Sequence, residues 1–287
     1  MADRRLALYA DHSRAYRENK FVYPVLSRRS QGISIGVNLN PDKVCNFDCI
    51  YCQVDRRSEA ETRFVEMDRL LAEVDAMFTF VMSGEIYRDE KFSRVPEPLR
   101  RLNDIAFSGD GEPTTYRNFD EIVAAVAGFK RRQGLVDAKM VLITNASMFH
   151  RPAVRRGLEV LDENNGEIWA KLETGTEEYY QRVERTKIPF RQVLENITTA
   201  AQRRPIVIQS LFMKIQGEPP PETEIDSFCD RLNEIQAVGG QIKLVQVYTV
   251  ARQPAESDVT PLTNDEVNRI ADKVIEQTGL PAERYYG

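Results

Sequence analysis

Cysteine, histidine and long apolar runs are all scarce in this sequence. Four cysteines among 287 residues, three of them clustered, exclude the dense disulfide framework of a short secreted protein. No stretch approaches the roughly 20 apolar residues that a membrane span needs. The first residues also lack the apolar core of a signal peptide. These absences lead us to expect a cytoplasmic protein that has no membrane partner.

An excess of charge of one sign is lacking as well. The 39 basic and 44 acidic residues give a formal net charge of −5 at pH 7. A basic excess is the usual footprint of a nucleic-acid-binding protein, so this balance does not favour a protein-wide grip on RNA or DNA. With 42% hydrophobic and 29% charged residues, the composition is that of an ordinary globular protein.

Three of the four cysteines lie in one short stretch, residues 41–53, with the sequence P-D-K-V-C-N-F-D-C-I-Y-C-Q. Cys45, Cys49 and Cys52 have the spacing C-x3-C-x2-C, and Tyr51 directly precedes the last one. Thiolates are the usual protein ligands of iron–sulfur clusters. A four-iron cluster normally takes four cysteines, so this loop would leave one iron without a local protein ligand. An open metal position of this kind is where a cosubstrate can bind.

A zinc site is the alternative reading of the same loop. Structural zinc requires four nitrogen or sulfur ligands, and the remaining candidates, Cys229, His12 and His150, are all distant in sequence. Cys229 lies in a helical pattern and is interpreted as a small core residue. A non-catalytic iron–sulfur or zinc-binding module therefore stays open as a hypothesis of another class.

Six apolar, β-branched runs alternate with helical patterns along the chain. The alternation predicts parallel β-α units joined by right-handed crossovers, and six units fall short of the eight in a closed barrel. We expect an N-terminal extension over residues 1–32, containing a short helix and an approach segment, and one catalytic domain over residues 33–287. The predicted strands are 33–39, 104–108, 139–145, 167–174, 206–213 and 243–250, and the predicted helices are 65–80, 119–129, 152–161, 177–184, 190–202, 222–237 and 264–279.

The cysteine loop resembles the signature of the radical S-adenosylmethionine (SAM) superfamily, C-x3-C-x-(aromatic)-C. The resemblance implies an α/β fold, the partial (β/α)6 barrel of parallel strands that forms the radical SAM core. It implies a single 4Fe–4S cluster on Cys45, Cys49 and Cys52, with SAM as the second cofactor. One electron, from a donor such as flavodoxin or ferredoxin, would cleave SAM to methionine and a 5′-deoxyadenosyl radical. This radical would abstract hydrogen from a substrate that the sequence does not identify.

The stretch G-D-G-E-P-T at residues 109–114 follows the second predicted strand. Beside the cysteine loop it is similar to the family's glycine-rich "GGE" motif, which binds the amino group of SAM. The resemblance assigns this role to Gly109, Gly111 and Glu112, although Asp110 separates the two glycines. In isolation the same residues are typical of an ordinary turn between a strand and a helix.

Lys171 and Glu173 stand two residues apart on the fourth predicted strand, so they share one face of the sheet. The resemblance assigns Lys171 to the SAM carboxylate and Glu173 to the ribose hydroxyls. An internal ion pair is the alternative, since an inward-facing charge must be paired or liganded. Four further residues near strand ends or beside the last cysteine are candidate SAM contacts: Tyr51, Asn145, Gln209 and Tyr248.

Three stretches are similar to the wyosine-forming tRNA enzymes within this superfamily: V-N-L-N-P-D-K-V-C-N-F-D-C-I-Y-C-Q, S-G-D-G-E-P-T and V-Q-V-Y-T-V-A-R-Q-P. Those enzymes carry a second cluster on N-terminal cysteines. Residues 1–44 contain no cysteine, so a second three-cysteine cluster cannot form within this chain. We therefore expect a single-cluster radical SAM enzyme. Modification of tRNA is the alternative, and the net charge does not favour it.

Overall fold

The structure, a computed structural model, describes residues 16–55, 58–60, 62–254 and 256–287. The chain divides into two compact units, and each is described by itself. The first comprises Met1–Val44, Glu59–Leu142 and Ala153–Glu167, and the second comprises Cys45–Ser58, Ile143–Pro152 and Ile168–Gly287. Much of the predicted N-terminal extension, including His12, falls outside the described residues.

Among the described residues, the strands of the first unit pair in both antiparallel and parallel directions. β1 (Val22–Ser27) pairs antiparallel with β2 (Gly32–Val37), and β2 pairs parallel with β3 (Leu102–Phe107). β3 in turn pairs parallel with the first residues of β4 (Lys139–Thr144). β2, β3 and β4 confirm three of the predicted strands, whereas β1 lies where the approach segment was expected.

Apolar residues at intervals of three and four build the helices of the first unit. α1 (Met67–Met82) and α2 (Phe119–Arg132) are linked through Phe78 and Phe129, whose rings stack with centroids 5.0 Å apart. α3 (Pro152–Asp162) begins with proline at its first position, where the missing N–H costs nothing. The predicted loop between α1 and β3 contains two short 3₁₀ turns, Glu85–Arg88 and Glu97–Leu99.

Four parallel strands form the main sheet of the second unit. β5 (Gly166–Lys171), β6 (Ile206–Ile215) and β7 (Ile242–Thr249) confirm the remaining predicted strands. β8 (Val259–Pro261) pairs antiparallel with β6, and β9 (Ala282–Tyr285) pairs parallel with β7; neither was predicted. The helices agree with the predicted ones and are α4 (Glu177–Glu184), α5 (Phe190–Arg203), α6 (Glu222–Ala237) and α7 (Asn264–Thr278).

Strand register sets which side chains stand side by side in the second unit. Lys171 of β5 is beside Gln209 of β6, and Gln209 is beside Gln246 of β7. Two residues further along, Leu211 is beside Tyr248. Since alternate residues of a strand share a face, one face presents a polar row of Lys171, Gln209 and Gln246 and, nearer the carboxyl ends, an apolar row.

β5 ends at Lys171, three residues earlier than predicted, because the following turn is held by α6. The Glu224 carboxylate accepts hydrogen bonds from the N–H groups of Gly175 (2.5 Å) and Thr176 (3.3 Å) and from the Thr176 hydroxyl (2.6 Å). Gly175 has no Cβ, and any Cβ there would collide with the α6 backbone at Phe228.

Within the described ranges, no helix combines the length and the apolar character that crossing a membrane requires. The predicted alternation of parallel strands with helices is confirmed.

Candidate functional site

The cysteine loop, residues 45–52, belongs to the second unit. None of its cysteines is in a disulfide, and all three are partly exposed. The loop closes with a turn in which the Cys52 N–H donates to the Cys49 carbonyl (3.0 Å). Phe47, Ile50 and Tyr51 are buried, and Tyr51 packs in an apolar cluster with Leu211 and Tyr248. Alternating buried aromatic or aliphatic residues with cysteines thus anchors the loop, while the cysteine residues stay partly exposed.

The carboxyl end of α4 receives the backbone of this loop. The Asp48 N–H donates to the Glu184 carbonyl (3.1 Å), and the Ile50 N–H donates to the Val183 carbonyl (2.9 Å). The last carbonyls of a helix have no partner within the helix, so the loop satisfies two of them. Arg185 ends α4 in the left-handed conformation, with φ of 46°.

Asn46 is hydrogen-bonded through both its main chain and its side chain. The Thr186 hydroxyl donates to the Asn46 carbonyl (2.9 Å). The Asn145 amide donates to Asn46 Oδ1 (2.9 Å), and Asn46 Nδ2 donates to the Ser147 hydroxyl (2.8 Å). Asn145 was predicted to contact SAM, and the structure places its side chain on the cysteine loop.

A group of acidic side chains surrounds Lys171 near the same loop. The Tyr51 hydroxyl donates to Glu173 Oε1 (3.0 Å), and the Cys49 thiol donates to Glu184 Oε2 (2.7 Å). Lys171 Nζ lies 5.8 Å from the centre of the Tyr51 ring. The structure therefore brings together four of the predicted residues, Tyr51, Lys171, Glu173 and Cys49.

Glu184 is a member of this group that the sequence analysis missed. It is 2% exposed, although it lies in the last turn of α4, where a carboxylate opposes the helix dipole. A glutamate at such a position is usually solvated, so its burial requires a specific partner. In the sequence, the only sign of this role is a glutamate in the last turn of a predicted helix, which is a weak signal.

Burial changes the proton affinities of this group. Desolvation, and then the neighbouring Glu184 carboxylate, raise the pKa of Glu173 well above its ordinary value, and desolvation also raises the pKa of Glu184. Desolvation likewise raises the pKa of the Cys49 thiol and of the Tyr51 hydroxyl. For Lys171, desolvation lowers the pKa, but Tyr248 and then Glu173, Cys49 and Glu184 outweigh desolvation and raise the pKa overall.

The strand row beside Lys171 carries an incompletely bonded amide. Gln209 Nε2 donates to Gln246 Oε1 (2.9 Å), and both side chains are buried. Among the described residues, Gln209 Oε1 and the Thr174 hydroxyl are buried and have no hydrogen-bond partner. Buried polar atoms are normally hydrogen-bonded, so these two atoms have hydrogen-bonding capacity that the protein leaves unused.

The G-D-G-E stretch lies in the first unit, after β3. Glu112 Oε1 accepts from the N–H (3.1 Å) and the hydroxyl (2.5 Å) of Thr114, so it caps the short turn Pro113–Thr115. A Cβ on Gly109 would collide with the Asn38 side chain, and one on Gly111 would collide with the Val44 carbonyl. Both glycines are thus required for close approach of this unit's own chain, as in the ordinary-turn interpretation. Their contact with SAM stays a prediction.

In the described part of the chain, no three Cys, His, Asp or Glu side chains are placed to hold one metal ion. Ligation by Cys45, Cys49 and Cys52 therefore stays a prediction, supported by the chemistry of three thiols on one loop. Cys229 is buried in α6, as expected for a core residue, and desolvation raises its pKa to about 11.

Several curated proteins are similar to this chain, among them a GTPase Obg and a UPF0026 protein. GTPase Obg of Brachyspira hyodysenteriae is 22% identical over 273 residues, which cover 92% of this chain and 35% of that protein. A UPF0026 protein of Helicobacter pylori is 24% identical over 246 residues, which cover 85% of this chain and 70% of that protein. The chain thus spans 35% and 70% of the lengths of these relatives.

Solved structures are also similar. A radical SAM methyltransferase from Sphaerobacter thermophilus superposes with a TM-score of 0.64 at 12% identity, covering 92% of this chain and 69% of that chain. This likeness shows a shared fold and confirms the predicted fold class. A structure of TYW1 with a lysine–pyruvate adduct bound has a TM-score of 0.48 at 17% identity, covering 85% of this chain and 73% of that chain.

Residues 39–229, more than half of the chain, match the Radical SAM superfamily. The matched range contains the cysteine loop, the G-D-G-E stretch and the pair Lys171 and Glu173. The family implies a 4Fe–4S cluster and SAM as cofactors. The chain belongs to the radical SAM superfamily and is an enzyme of that class.

Proposed function

We propose that this chain cleaves SAM reductively at one 4Fe–4S cluster and directs the resulting radical at a substrate hydrogen. Cys45, Cys49 and Cys52 would hold the cluster, which supplies the electron that splits SAM into methionine and a 5′-deoxyadenosyl radical. The observation that carries the proposal is the placement of Lys171 and Glu173 beside the cysteine loop, through Tyr51. A merely structural metal loop would have no use for this costly set of buried charges.

Lys171 and its acidic neighbours fit the charges of SAM. The raised pKa of Lys171 keeps its ammonium group charged, and a charged ammonium can bind the SAM carboxylate. Once both are ionised, Glu173 and Glu184 carry more negative charge than the positive charge of Lys171 balances. The remaining negative charge suits the SAM ammonium and sulfonium groups. Gln209 Oε1 adds an acceptor without a partner among the described residues.

Glu173 is the residue we assign to the ribose hydroxyls. Its carboxylate already accepts from the Tyr51 hydroxyl (3.0 Å) and retains further lone pairs for two adjacent hydroxyl donors. Tyr51 and Tyr248 provide aromatic surface within one apolar cluster, which is suited to packing against adenine. Gly109, Gly111 and Glu112 remain candidates for the SAM amino group on sequence similarity alone.

The proposal also covers the electron donor and the cellular location, and it leaves the substrate unidentified. A small one-electron carrier such as flavodoxin or ferredoxin would supply the electron, and the expected location is the cytoplasm. No observation among the described residues favours tRNA, so we do not propose tRNA modification. The catalytic group that meets the substrate is unassigned.

The test is anaerobic reconstitution with iron and sulfide, reduction with dithionite, and assay for 5′-deoxyadenosine after SAM is added. We expect about four irons per chain and SAM cleavage. Cys49→Ala should lose both iron and product. Cys229→Ala is the matched control, because Cys229 lies in the core of α6 and should leave both unchanged.

Two outcomes would contradict the proposal. A folded protein that binds one zinc ion and no cluster would support the metal-module alternative. A protein that assembles the cluster equally well in the Cys49→Ala variant would show that the loop is not the ligand.

A further inference from the structure

Three polar side chains, those of Asn145, Ser147 and Thr186, hydrogen-bond to Asn46, which lies between the first two loop cysteines. We call Asn46, Asn145, Ser147 and Thr186 the loop anchor. Within it, Thr186 donates to the Asn46 carbonyl (2.9 Å) and Asn145 donates to Asn46 Oδ1 (2.9 Å). Ser147 accepts from Asn46 Nδ2 (2.8 Å) and donates to Asn145 Oδ1 (2.6 Å). The amide and hydroxyl groups thus close a ring of hydrogen bonds.

The loop anchor is itself tied to α5. Asn196 Nδ2 donates to the carbonyls of Ala146 (2.8 Å) and Ser147 (3.1 Å), and Gln192 Nε2 donates to the Ser147 carbonyl (3.1 Å). Ala146 adopts the left-handed conformation, with φ of 58°. A non-glycine residue persists in that region only where its surroundings hold it, so α5 dictates the shape of the turn that bonds Asn46.

Thr186 holds the loop from the other side. Its side chain is buried, donates to the Asn46 carbonyl and accepts from the Ile188 N–H (3.2 Å). It follows Arg185, the residue next to the two α4 carbonyls that receive the amides of Asp48 and Ile50. The cysteine loop is therefore bonded to protein at residues 46, 48 and 50, between its cysteines, and none of these bonds requires a metal.

We propose that the loop anchor holds the cysteine loop folded before any cluster is present, with Thr186 and Asn145 as positioning residues. The loop would then pay little ordering entropy when the cluster binds, because the protein has already fixed its backbone. The loop anchor would also slow the loss of iron, because a loop with a fixed backbone dissociates less readily from a bound cluster. The link to a cluster rests on the proposed function, whereas the ordering of the loop does not.

The test compares amide hydrogen exchange in metal-free protein, which needs no iron. In Thr186→Val the hydroxyl is lost at nearly constant volume, and exchange at Asp48 and Ile50 should rise about tenfold. Thr186→Ser keeps the hydroxyl and should restore slow exchange. Thr198→Val is the matched control, because among the described residues the Thr198 hydroxyl bonds only the Leu194 carbonyl of its own helix (2.7 Å).

A second measurement follows iron release to a chelator from reconstituted protein. We expect Thr186→Val to lose iron about tenfold faster than Thr186→Ser or wild type. Exchange at Asp48 and Ile50 that is the same in Thr186→Val and wild type would overturn the proposal. So would equal acceleration in Thr186→Ser, because the hydroxyl would then be irrelevant.

If Thr186→Val fails to fold, Ser147→Ala is measured in the same way. It leaves Asn46 Nδ2 and Asn145 Oδ1 without their shared hydroxyl, so the same increase in exchange is expected, and its absence overturns the proposal. Failure to assemble any cluster would contradict the proposed function and leave the exchange result standing.

Discussion

Lys171 is a partly buried cation beside the carboxylates of Glu173 and Glu184. The pKa values of Glu173 and Glu184 are raised chiefly by desolvation, and Lys171 is the charge that opposes this effect. Removing one member of a buried group of charges leaves the remaining charges without a counter-charge. The resulting loss of folding free energy is larger than the net stabilisation that the ion pair provides. The stability of the metal-free protein should therefore be sensitive to Lys171 even before SAM binds.

We expect Lys171→Met to lower the free energy of unfolding of the metal-free protein by about 3 kcal/mol. The methionine keeps the length of the side chain but leaves Glu173 and Glu184 without a cation. Urea denaturation at pH 7 measures the change. In the double variant Lys171→Met/Glu173→Gln, part of the loss should be recovered because one carboxylate is gone. Strictly additive effects would show that the two residues do not interact.

At the residue scale, the sequence predicted some members of the site and not their contacts. Lys171 and Glu173 were found from their shared strand face, and the cysteines from their spacing. Glu184 was not found, because it reaches Cys49 across 135 positions of sequence and local patterns do not report such contacts. Asn145 was found as a polar residue at a strand end, but only the structure shows its bond to Asn46.

Helix α1 and strand β1 are joined by a single carboxylate. Glu73 is 7% exposed and accepts from the N–H groups of Lys20 (3.0 Å), Phe21 (2.8 Å) and Val22 (3.1 Å). Arg69, one turn earlier on α1, donates to Oε1 of the same carboxylate (3.0 Å), the oxygen that also accepts from Lys20. Three consecutive main-chain donors at the entrance to β1 thus depend on one side chain.

Glu73→Ala should lower the free energy of unfolding by about 3 kcal/mol, because it leaves buried N–H groups without the charged acceptor that they had. Thermal or urea unfolding measures the loss, and amide exchange at Phe21 and Val22 should become faster. Asp75→Ala is the matched control on the same helix, since Asp75 is exposed and should change stability little. Equal effects of the two substitutions would refute the role given to Glu73.

At the element scale, periodicity found the six strands that alternate with helices but missed three others. β1 contains Pro24, and a proline weakens the prediction of a strand from sequence. The proline is tolerated because, among the described strands, β1 pairs only with β2. β8 has three residues and β9 has four, too few to show an alternation. These strands exist because β6 and β7 offer partners, which is tertiary information.

At the scale of the whole molecule, the superfamily could be predicted because the three cysteines expected to bind the cluster lie in one short loop with a recognisable spacing. The substrate could not, because side chains dispersed through the fold would select it and no local motif encodes it. The pH dependence of the free energy of unfolding is also a property of the whole molecule, and the buried carboxyl group of Asp104 makes it testable.

Asp104, 3% exposed in β3, hydrogen-bonds with Ser34 near Glu167 and Lys139, and desolvation raises its pKa. The folded protein therefore holds this proton more tightly than the unfolded chain. The contribution of Asp104 to stability is complete below about pH 3.8 and is lost as pH rises through its raised pKa, by at most about 1.4 kcal/mol per pH unit. Asp104→Asn should remove this loss, so urea unfolding between pH 4 and about pH 8 should show the variant gaining on wild type as pH rises. Asp75→Asn, at an exposed position, should track wild type. Parallel curves for Asp104→Asn and wild type would mean that Asp104 is ionised in both states.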